Sequence, residues 1–223
     1  MKAEMVKEMA SSLGADVCGI ASIDRFTEAP KGFHPNDIMP NAKSVVVFGK
    51  QSSKTLFEAR SNVPYTLVRN KLAEHLDNIA MTLIAKVEES GNGAIPIPSV
   101  EPYEYWDTEC RHGRGILSLK HAAQLAGLGR LGKNTLLINK KFGNRLWLGA
   151  ILTSSAIEPD PISSFEGCKS SCSICLDACP QKALDGITVN QKRCREIVYT
   201  STEGGGGIYA CNVCRKMCPF AKV

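Results

Sequence analysis

The sequence predicts an α+β protein in two parts, with residues 1–158 folding as a mixed sheet with flanking helices and residues 159–223 as a small cysteine-rich module. Two observations predict it. Over the first part, helical and strand patterns alternate as helix, strand, strand, long helix, strand, helix, strands. In the last third, eight of the ten cysteines stand in two ordered groups: Cys168, Cys172, Cys175, Cys179-Pro180, then Cys194, Cys211, Cys214, Cys218-Pro219.

With 223 residues, 43% hydrophobic content and 22% charge, the chain has the material for one medium domain plus a small one. No apolar run is long enough to span a bilayer, and the N-terminus opens directly into an amphipathic helix rather than a signal peptide. The expected location is therefore the cytoplasm, with no membrane partner.

The first helix runs from about Ala3 to Leu13 and stops at Gly14, which leads into a short strand around Val17 to Ile20. A proline-rich loop follows. Ser44 to Gly49 (SVVVFG) reads as a buried strand, and Tyr65 to Ser90 as a long helix with Leu72, Leu76, Ile79, Leu83 and Val87 on one apolar stripe. The stripe is core. Beyond Pro96 and Pro98, the segment Val100 to Asp107 is irregular, aromatic and acidic, and such loops either line sites or lie pinned on the surface. Ser118 to Ala126 reads as a helix and Thr135 to Asn139 as a strand. Of the histidines, His75 falls on the surface of the long helix, His34 in a loop and His121 on a helix beside alanines.

The cysteine spacing is that of a two-cluster ferredoxin-like module, in which three closely spaced thiolates hold one 4Fe-4S cube and a fourth, followed by proline, reaches across to the other. It predicts Cys168, Cys172, Cys175 and Cys218 on one cluster, and Cys179, Cys194, Cys211 and Cys214 on the second. Two departures read as loop insertions: the three-residue first gap, and the sixteen residues between Cys194 and Cys211, which include Gly204 to Gly207. Zinc is the rival ligand for paired Cys-x-x-Cys hooks, but it leaves the Cys-Pro closing each group unexplained. Disulfides belong to small secreted chains. Cys18, on an apolar strand, reads as a buried small hydrophobe, and Cys110, near Arg111 and His112, as an exposed thiol. The formal charge of +5 counts cysteines as neutral. Eight thiolates and two cubic cores bring it to roughly +1, which gives a nucleic-acid partner little support.

Gly127-Leu128-Gly129-Arg130-Leu131-Gly132 matches G-x-G-x-x-G literally, but in the wrong context. A dinucleotide fingerprint follows a strand and opens a helix, whereas this one closes a helix and enters a strand. What remains is bare backbone that a flat ligand can approach, with Lys133 and Asn134 as nearby donors. A tight turn alone would explain two of the three glycines.

The stretch from Leu119 to Ile138, which contains that turn, resembles the epoxyqueuosine reductase family. Leu146 to Ser154, Cys175 to Pro180, Gly14 to Ala21 and Lys43 to Val47 extend the resemblance along nearly the whole chain. It implies a nitroreductase-like, cobalamin-binding core joined to a double-cluster module, related to the reductive dehalogenases. On that resemblance, two 4Fe-4S clusters relay single electrons to cobalt, whose reduced form attacks or reduces the substrate. Residues Gly127, Leu128, Gly129, Gly132, Lys133 and Asn134 would face the corrin. The electron donor would be a protein such as ferredoxin or flavodoxin, and the substrate a small molecule or a modified nucleoside, with tRNA disfavoured.

The resemblance breaks at one important position. The family's catalytic aspartate precedes the Ala-Gly-Leu-Gly turn by thirteen residues, where this chain has Gly113, and its active-site arginine corresponds to Lys120. Asp107, Glu109 and Tyr105, with Lys120, are the candidate catalytic groups; Tyr103 is a further one. The family's bacterial members also continue into a helical-repeat domain that helps hold tRNA, and this sequence stops after the second cysteine group. The first functional reading is a cobalamin-dependent iron-sulfur reductase, and the second a ferredoxin-type electron-transfer protein serving a corrinoid or other redox partner. A flavin on the same scaffold is a third.

Overall fold

A computed structural model of the chain describes residues 1–109 and 111–223, so the expectation for Cys110 lies outside the described residues. The first part is built on a four-stranded sheet of β1 (Val17–Ser22), β2 (Ser44–Gln51), β3 (Ala94–Ile97) and a fourth strand, Leu146–Thr153. Its order is β1, β2, Leu146–Thr153, β3, and every pairing is antiparallel.

The expected mixed sheet is therefore corrected. Helix Val63–Glu89 does carry the chain from β2 to β3 in the same direction, as a crossover helix should. The later strand Leu146–Thr153 then inserts between them and pairs antiparallel with both, with Val46 opposite Ile151 and Pro96 opposite the same residue on the other side. The parallel relation survives without a parallel hydrogen bond.

The sheet is apolar on both faces because its central strands are continuous hydrophobic runs. Val45 and Val47 point to one side and Val46 and Phe48 to the other, all fully buried. The Val46 side packs against α1 (Ala3–Ser12), through Val6 and Ala10, and against Val63–Glu89, through Leu76, Ile79, Leu83 and Val87. The Val45 side packs against Ala122 and Ala123 of helix Leu119–Leu125. Each fully buried aliphatic side chain contributes about 1.5–3 kcal/mol of transfer free energy. The layers are thus helix, sheet, helix. Leu72 is only half-buried, at the margin of the stripe.

We label these elements in chain order: Val63–Glu89 is α2, the hairpin strands Tyr105–Asp107 and His112–Arg114 are β4 and β5, Leu119–Leu125 is α3, and Leu146–Thr153 is β6. Helix α3 ends at Gly127, whose φ of +75° closes it as a left-handed cap. The expected strand at Thr135 to Asn139 is reduced to Leu137–Ile138, paired with Arg130–Leu131, because Thr135 turns at a φ of +60°.

The cysteine-rich part holds two helical turns, Ile174–Asp177 and Val213–Lys216, and between them helix α4 (Gln191–Val198) and a ribbon of β7 (Tyr199–Ser201) and β8 (Gly207–Tyr209). The glycine run forms the exposed tip of that ribbon. It docks on α2: the Thr66 hydroxyl accepts from Tyr209 N–H at 2.9 Å, and the Arg69 guanidinium lies 4.4 Å from the Tyr209 ring centroid. Among the described residues, no helix is long and apolar enough to cross a membrane.

Candidate functional site

The eight clustered cysteines are all free thiols, and the fold sorts them into two sets. Burial, together with charge on Cys168, Cys175 and Cys172 and against a lowering Phe220 backbone hydrogen bond, raises the Cys218 thiol to about 11. Cys175 is raised by burial, then by Cys168 and by Cys172. In the other set, burial raises Cys214 to about 11, with Cys194, Cys211 and Cys179 adding repulsion against the opposing Arg215. Cys194 is raised by burial, then by Cys211 and Cys179. Cys218 is thus coupled electrostatically to the first group's thiols, and Cys179 to the second group's.

Among the described residues, no three His, Cys, Asp or Glu side chains converge closely enough to hold a single metal ion. Four thiolates spread around a larger inorganic core are the alternative use of such sets, and Cys₄ is the ligand complement of a 4Fe-4S cube. The residues present fit two such groups in number and chemistry. Cys18 stands apart, its thiol pushed up to about 12 mainly by burial, with Asp160 adding to it. That suits a small hydrophobe.

A cavity of about 640 Å³ opens between residues 25–33, β5, helix α3 and Gln191 of α4, within the range of small-molecule sites. Its apolar wall includes Phe26, Phe33, Leu117 and Leu125, and its polar wall includes Arg25, Glu28, Arg114, Lys120, His121, Gln124 and Gln191. Helix α3 explains part of the polar wall: with Ala122 and Ala123 buried against the sheet, Lys120, His121 and Gln124 fall on the opposite side. Burial lowers the Lys120 pKa. Burial also lowers that of His121, and the Lys120 charge lowers it further. His121 Nδ1 lies 2.6 Å from the Ser118 hydroxyl.

Arg25 donates to the carbonyls of Leu125 at 2.7 Å and Asp160 at 2.6 Å, and Arg114 stacks 4.2 Å from the Tyr105 ring centroid. Gln191 is the cavity's link to the cysteine-rich part. Its Nε2 donates to Gly113 O and its Oε1 accepts from Gly113 N–H, both at 3.1 Å. One helical turn along α4 is Cys194.

Of the sequence-predicted catalytic groups, Lys120 lines this cavity, and so does Gly113. Tyr105 and Asp107 lie on β4, opposite Arg114 and His112, with the Tyr105 hydroxyl 3.4 Å from Asp107 Oδ2. Glu109 is exposed. These three lie outside the cavity lining. Tyr103 stacks with Trp106 at 6.0 Å, and the two rings close over Gly113, where an added Cβ would lie 3.2 Å from each.

The turn from Gly127 to Asn134 is already covered by this chain. A Cβ on Gly127 would lie 2.2 Å from Pro161 O, and one on Gly129 would lie 2.2 Å from Ile138 O. Gly132 faces the Ile138 side chain, and Leu128 is buried against Gly19. Lys133 Nζ donates to the carbonyls of Ser170 at 2.6 Å and Cys172 at 2.8 Å, and Asn134 donates to Cys214 O at 3.1 Å. Here Gly127 and Gly129 admit protein backbone and Gly132 a side chain, and Lys133 and Asn134 tie the turn to both cysteine sets.

The sequence reading passed over Arg25, His121, Gln124 and Gln191. Only the α3 periodicity carried a signal, placing His121 and Gln124 on the face away from the alanines; nothing local marks Gln191.

No family model matches the chain. It is 28% identical over 95% of its length to the epoxyqueuosine reductase of Staphylococcus aureus, and spans 62% of that protein. Its fold matches a crystal structure of epoxyqueuosine reductase with an epoxyqueuosine-modified tRNA-Tyr stem loop (TM-score 0.62, 24% identity, 98% of this chain and 65% of that one). It also matches a reductive dehalogenase whose structure is described as suggesting a B12-dependent mechanism (TM-score 0.70, 22% identity, 97% of this chain and 31% of that one). The chain is thus similar in sequence to epoxyqueuosine reductases along nearly its whole length, and shares an α+β fold with both groups.

Proposed function

We propose that this chain is an iron-sulfur reductase similar to epoxyqueuosine reductase, with a nitroreductase-like part over residues 1–158 and a double-cluster ferredoxin-like part over 159–223. Two 4Fe-4S clusters, held by the crossed cysteine sets, would pass electrons toward a cobalamin at the cavity. The observation that carries this reading is the short path from thiol to cavity: α4 bears Cys194 and, one turn earlier, Gln191 on the cavity wall.

The donor set suits a corrinoid. Its periphery is rich in primary amides, which accept and donate, and carries one phosphate, and Arg25, Arg114, Lys120 and Gln124 bring donors to a wall that also holds Glu28, Phe26, Phe33, Leu117 and Leu125. When bound, a reduced cobalt centre would supply the electron transfer and the metal-centred nucleophile that side chains lack. The chain's own residues do the rest. The apolar wall excludes water, Gln191 fixes the β5 backbone at Gly113, and Glu28, Lys120 and His121 are the titratable groups on a wall that has no carboxylic acid at 113. A modified nucleoside or another small molecule is the substrate class.

The second reading, an electron-transfer protein for a corrinoid or other redox partner, draws on the filled Gly127 to Asn134 turn and on the missing acid at Gly113. Anaerobic purification, with an absorption spectrum and mass spectrometry of released cofactors, separates the two. Protein that neither retains cobalamin nor changes its spectrum under reducing conditions belongs to the second class.

A further inference from the structure

Buried positive charge is shared unequally between the two cysteine sets. Arg215 directly follows Cys214, is only 9% exposed, and its charge opposes the burial that raises the Cys214 thiol. Its partners are neutral: the guanidinium donates to the Asn144 carbonyl and lies 4.2 Å from the Trp147 ring centroid. Among the described residues, no carboxylate stands within ion-pair distance of it. Buried charges are paired as a rule, so an unpaired one marks a place where an anion belongs.

Arg195 repeats the pattern on α4. It follows Cys194, its charge opposes the burial that raises that thiol, and it stacks 4.8 Å from the Trp106 ring centroid and 5.6 Å from that of Tyr103. Glu101 lines the same groove but lies beyond ion-pair distance. Both arginines therefore serve the Cys179, Cys194, Cys211 and Cys214 set.

The other set is differently placed. The leading charges that act on Cys175 and Cys218 are those of the set's own thiols. Lys133 approaches this set, but it is half-buried and donates to the main-chain carbonyls of Ser170 and Cys172, while Lys169 and Lys216 are exposed. Backbone donors reach thiols in both sets: Ala183 N–H lies 3.3 Å from Cys179 Sγ, and against burial, backbone hydrogen bonds pull Cys175 and Cys218 down. Hydrogen bonding does not separate the sets; buried cationic charge does.

We infer that Arg215, seconded by Arg195, holds the cluster on Cys179, Cys194, Cys211 and Cys214 at a higher reduction potential than its neighbour, so that the cluster whose helix α4 reaches the cavity fills first. The inference rests on the cluster reading above. A reduced cube carries one more negative charge than an oxidised one, and a cation beside it favours the reduced form. A guanidinium out of water is screened far less by salt than the exposed lysines are. Each cluster gains one electron from the reductant, with no bond made or broken.

The test is an anaerobic redox titration of the iron-loaded protein with dithionite, followed by absorbance and electron paramagnetic resonance, in which two one-electron waves are expected. Arg215→Met should lower the more positive wave, changing the ratio of reduced to oxidised cluster at a fixed potential about tenfold, or about 59 mV for one electron. The more negative wave should move far less, and the shift should persist at about 1 M salt. Arg215→Lys, which keeps the charge but not the stacking on Trp147, should restore most of the potential; a shift caused by loosened packing would not be restored. Arg195→Met, at a half-buried position, should lower the same wave by a smaller amount, and it carries the test if Arg215→Met does not fold. Lys216→Met should leave both waves in place. Unmoved waves in both arginine variants, a shift confined to the more negative wave, or an equal shift from Lys216→Met would overturn the inference. Iron and sulfide analysis of the wild type tests the cluster reading separately, and protein that binds no iron removes the inference along with it.

Discussion

Gln191 and Gly113, 78 residues apart, are joined by a double hydrogen bond in which a side-chain amide occupies both backbone groups of one residue. This contact ties the cysteine-rich part to the cavity wall. Gln191→Leu leaves a partly buried N–H and C=O without partners, and such groups cost about 1–3 kcal/mol. The expected outcome is a loss of stability of that order in urea unfolding of the iron-loaded protein, with iron content unchanged.

Because Gly113 carries no acid, reduction of epoxyqueuosine in tRNA should be slow, since a missing positioned acid lowers a rate by about a hundredfold or more. Gly113→Asp should raise it only when space is made, because the new Cβ would press on Tyr103 and Trp106 at 3.2 Å. The check is a single-turnover assay of cobalamin-loaded, reduced protein with epoxyqueuosine-containing tRNA, comparing wild type, Gly113→Asp, and Gly113→Asp with Trp106→Ala. Efficient conversion by the wild type would show that another donor, such as Lys120, already serves.

The crossed thiol sets give a selective expectation. Cys179→Ala should remove the cluster shared with Cys194, Cys211 and Cys214, although Cys179 lies in the first sequence group. Cys218→Ala should remove the cluster shared with Cys168, Cys172 and Cys175. Iron analysis and electron paramagnetic resonance of the reduced variants read this directly: about half the iron is lost, and the interaction between two centres vanishes. Loss confined to each cysteine's own sequence group would refute the crossing.

Lys120 makes stability depend on pH in a definite direction. Burial lowers its folded pKa below the unfolded value of about 10.4. Between the two values the unfolded chain binds more protons, so this residue's contribution favours the folded state increasingly as pH rises through that window. The urea midpoint of Lys120→Met should lack this alkaline gain relative to wild type. An unchanged pH dependence would show that the Lys120 amine is solvated in the folded state.

Gly127→Ala should weaken the fold whether or not cofactor is present. The position combines a φ of +75° with Pro161 O at 2.2 Å from any added Cβ, so both strain and overlap act, together costing about 1–3 kcal/mol or more. Thermal unfolding of the protein before and after cobalamin addition should show the same deficit. A deficit seen only with cobalamin would return the turn to the corrin site.

How far the sequence was legible follows from the range over which each feature is encoded. The buried strand β2 and the helix α2 write their burial into consecutive residues, and the two cysteine groups are written into spacing. The sheet order was hidden, because nothing near Leu146 says that it pairs with both Val63–Glu89-linked strands. The glycine turn misled for a related reason. Gly127 and Gly129 announce room for a close neighbour, but that neighbours are Pro161 and Ile138 depends on how distant segments return. Gln191 carried no local mark, since an amide gains its role only where a particular backbone is opposite.

The insertion of β6 between β2 and β3 sets the order in which this molecule can be made. Until Leu146–Thr153 has left the ribosome, β2 and β3 each present an unpaired edge that invites pairing with another chain. Every cluster cysteine is synthesised after that strand. The framework can therefore close before the first of the eight clustered thiols emerges, and metal loading becomes a late step performed on a finished platform.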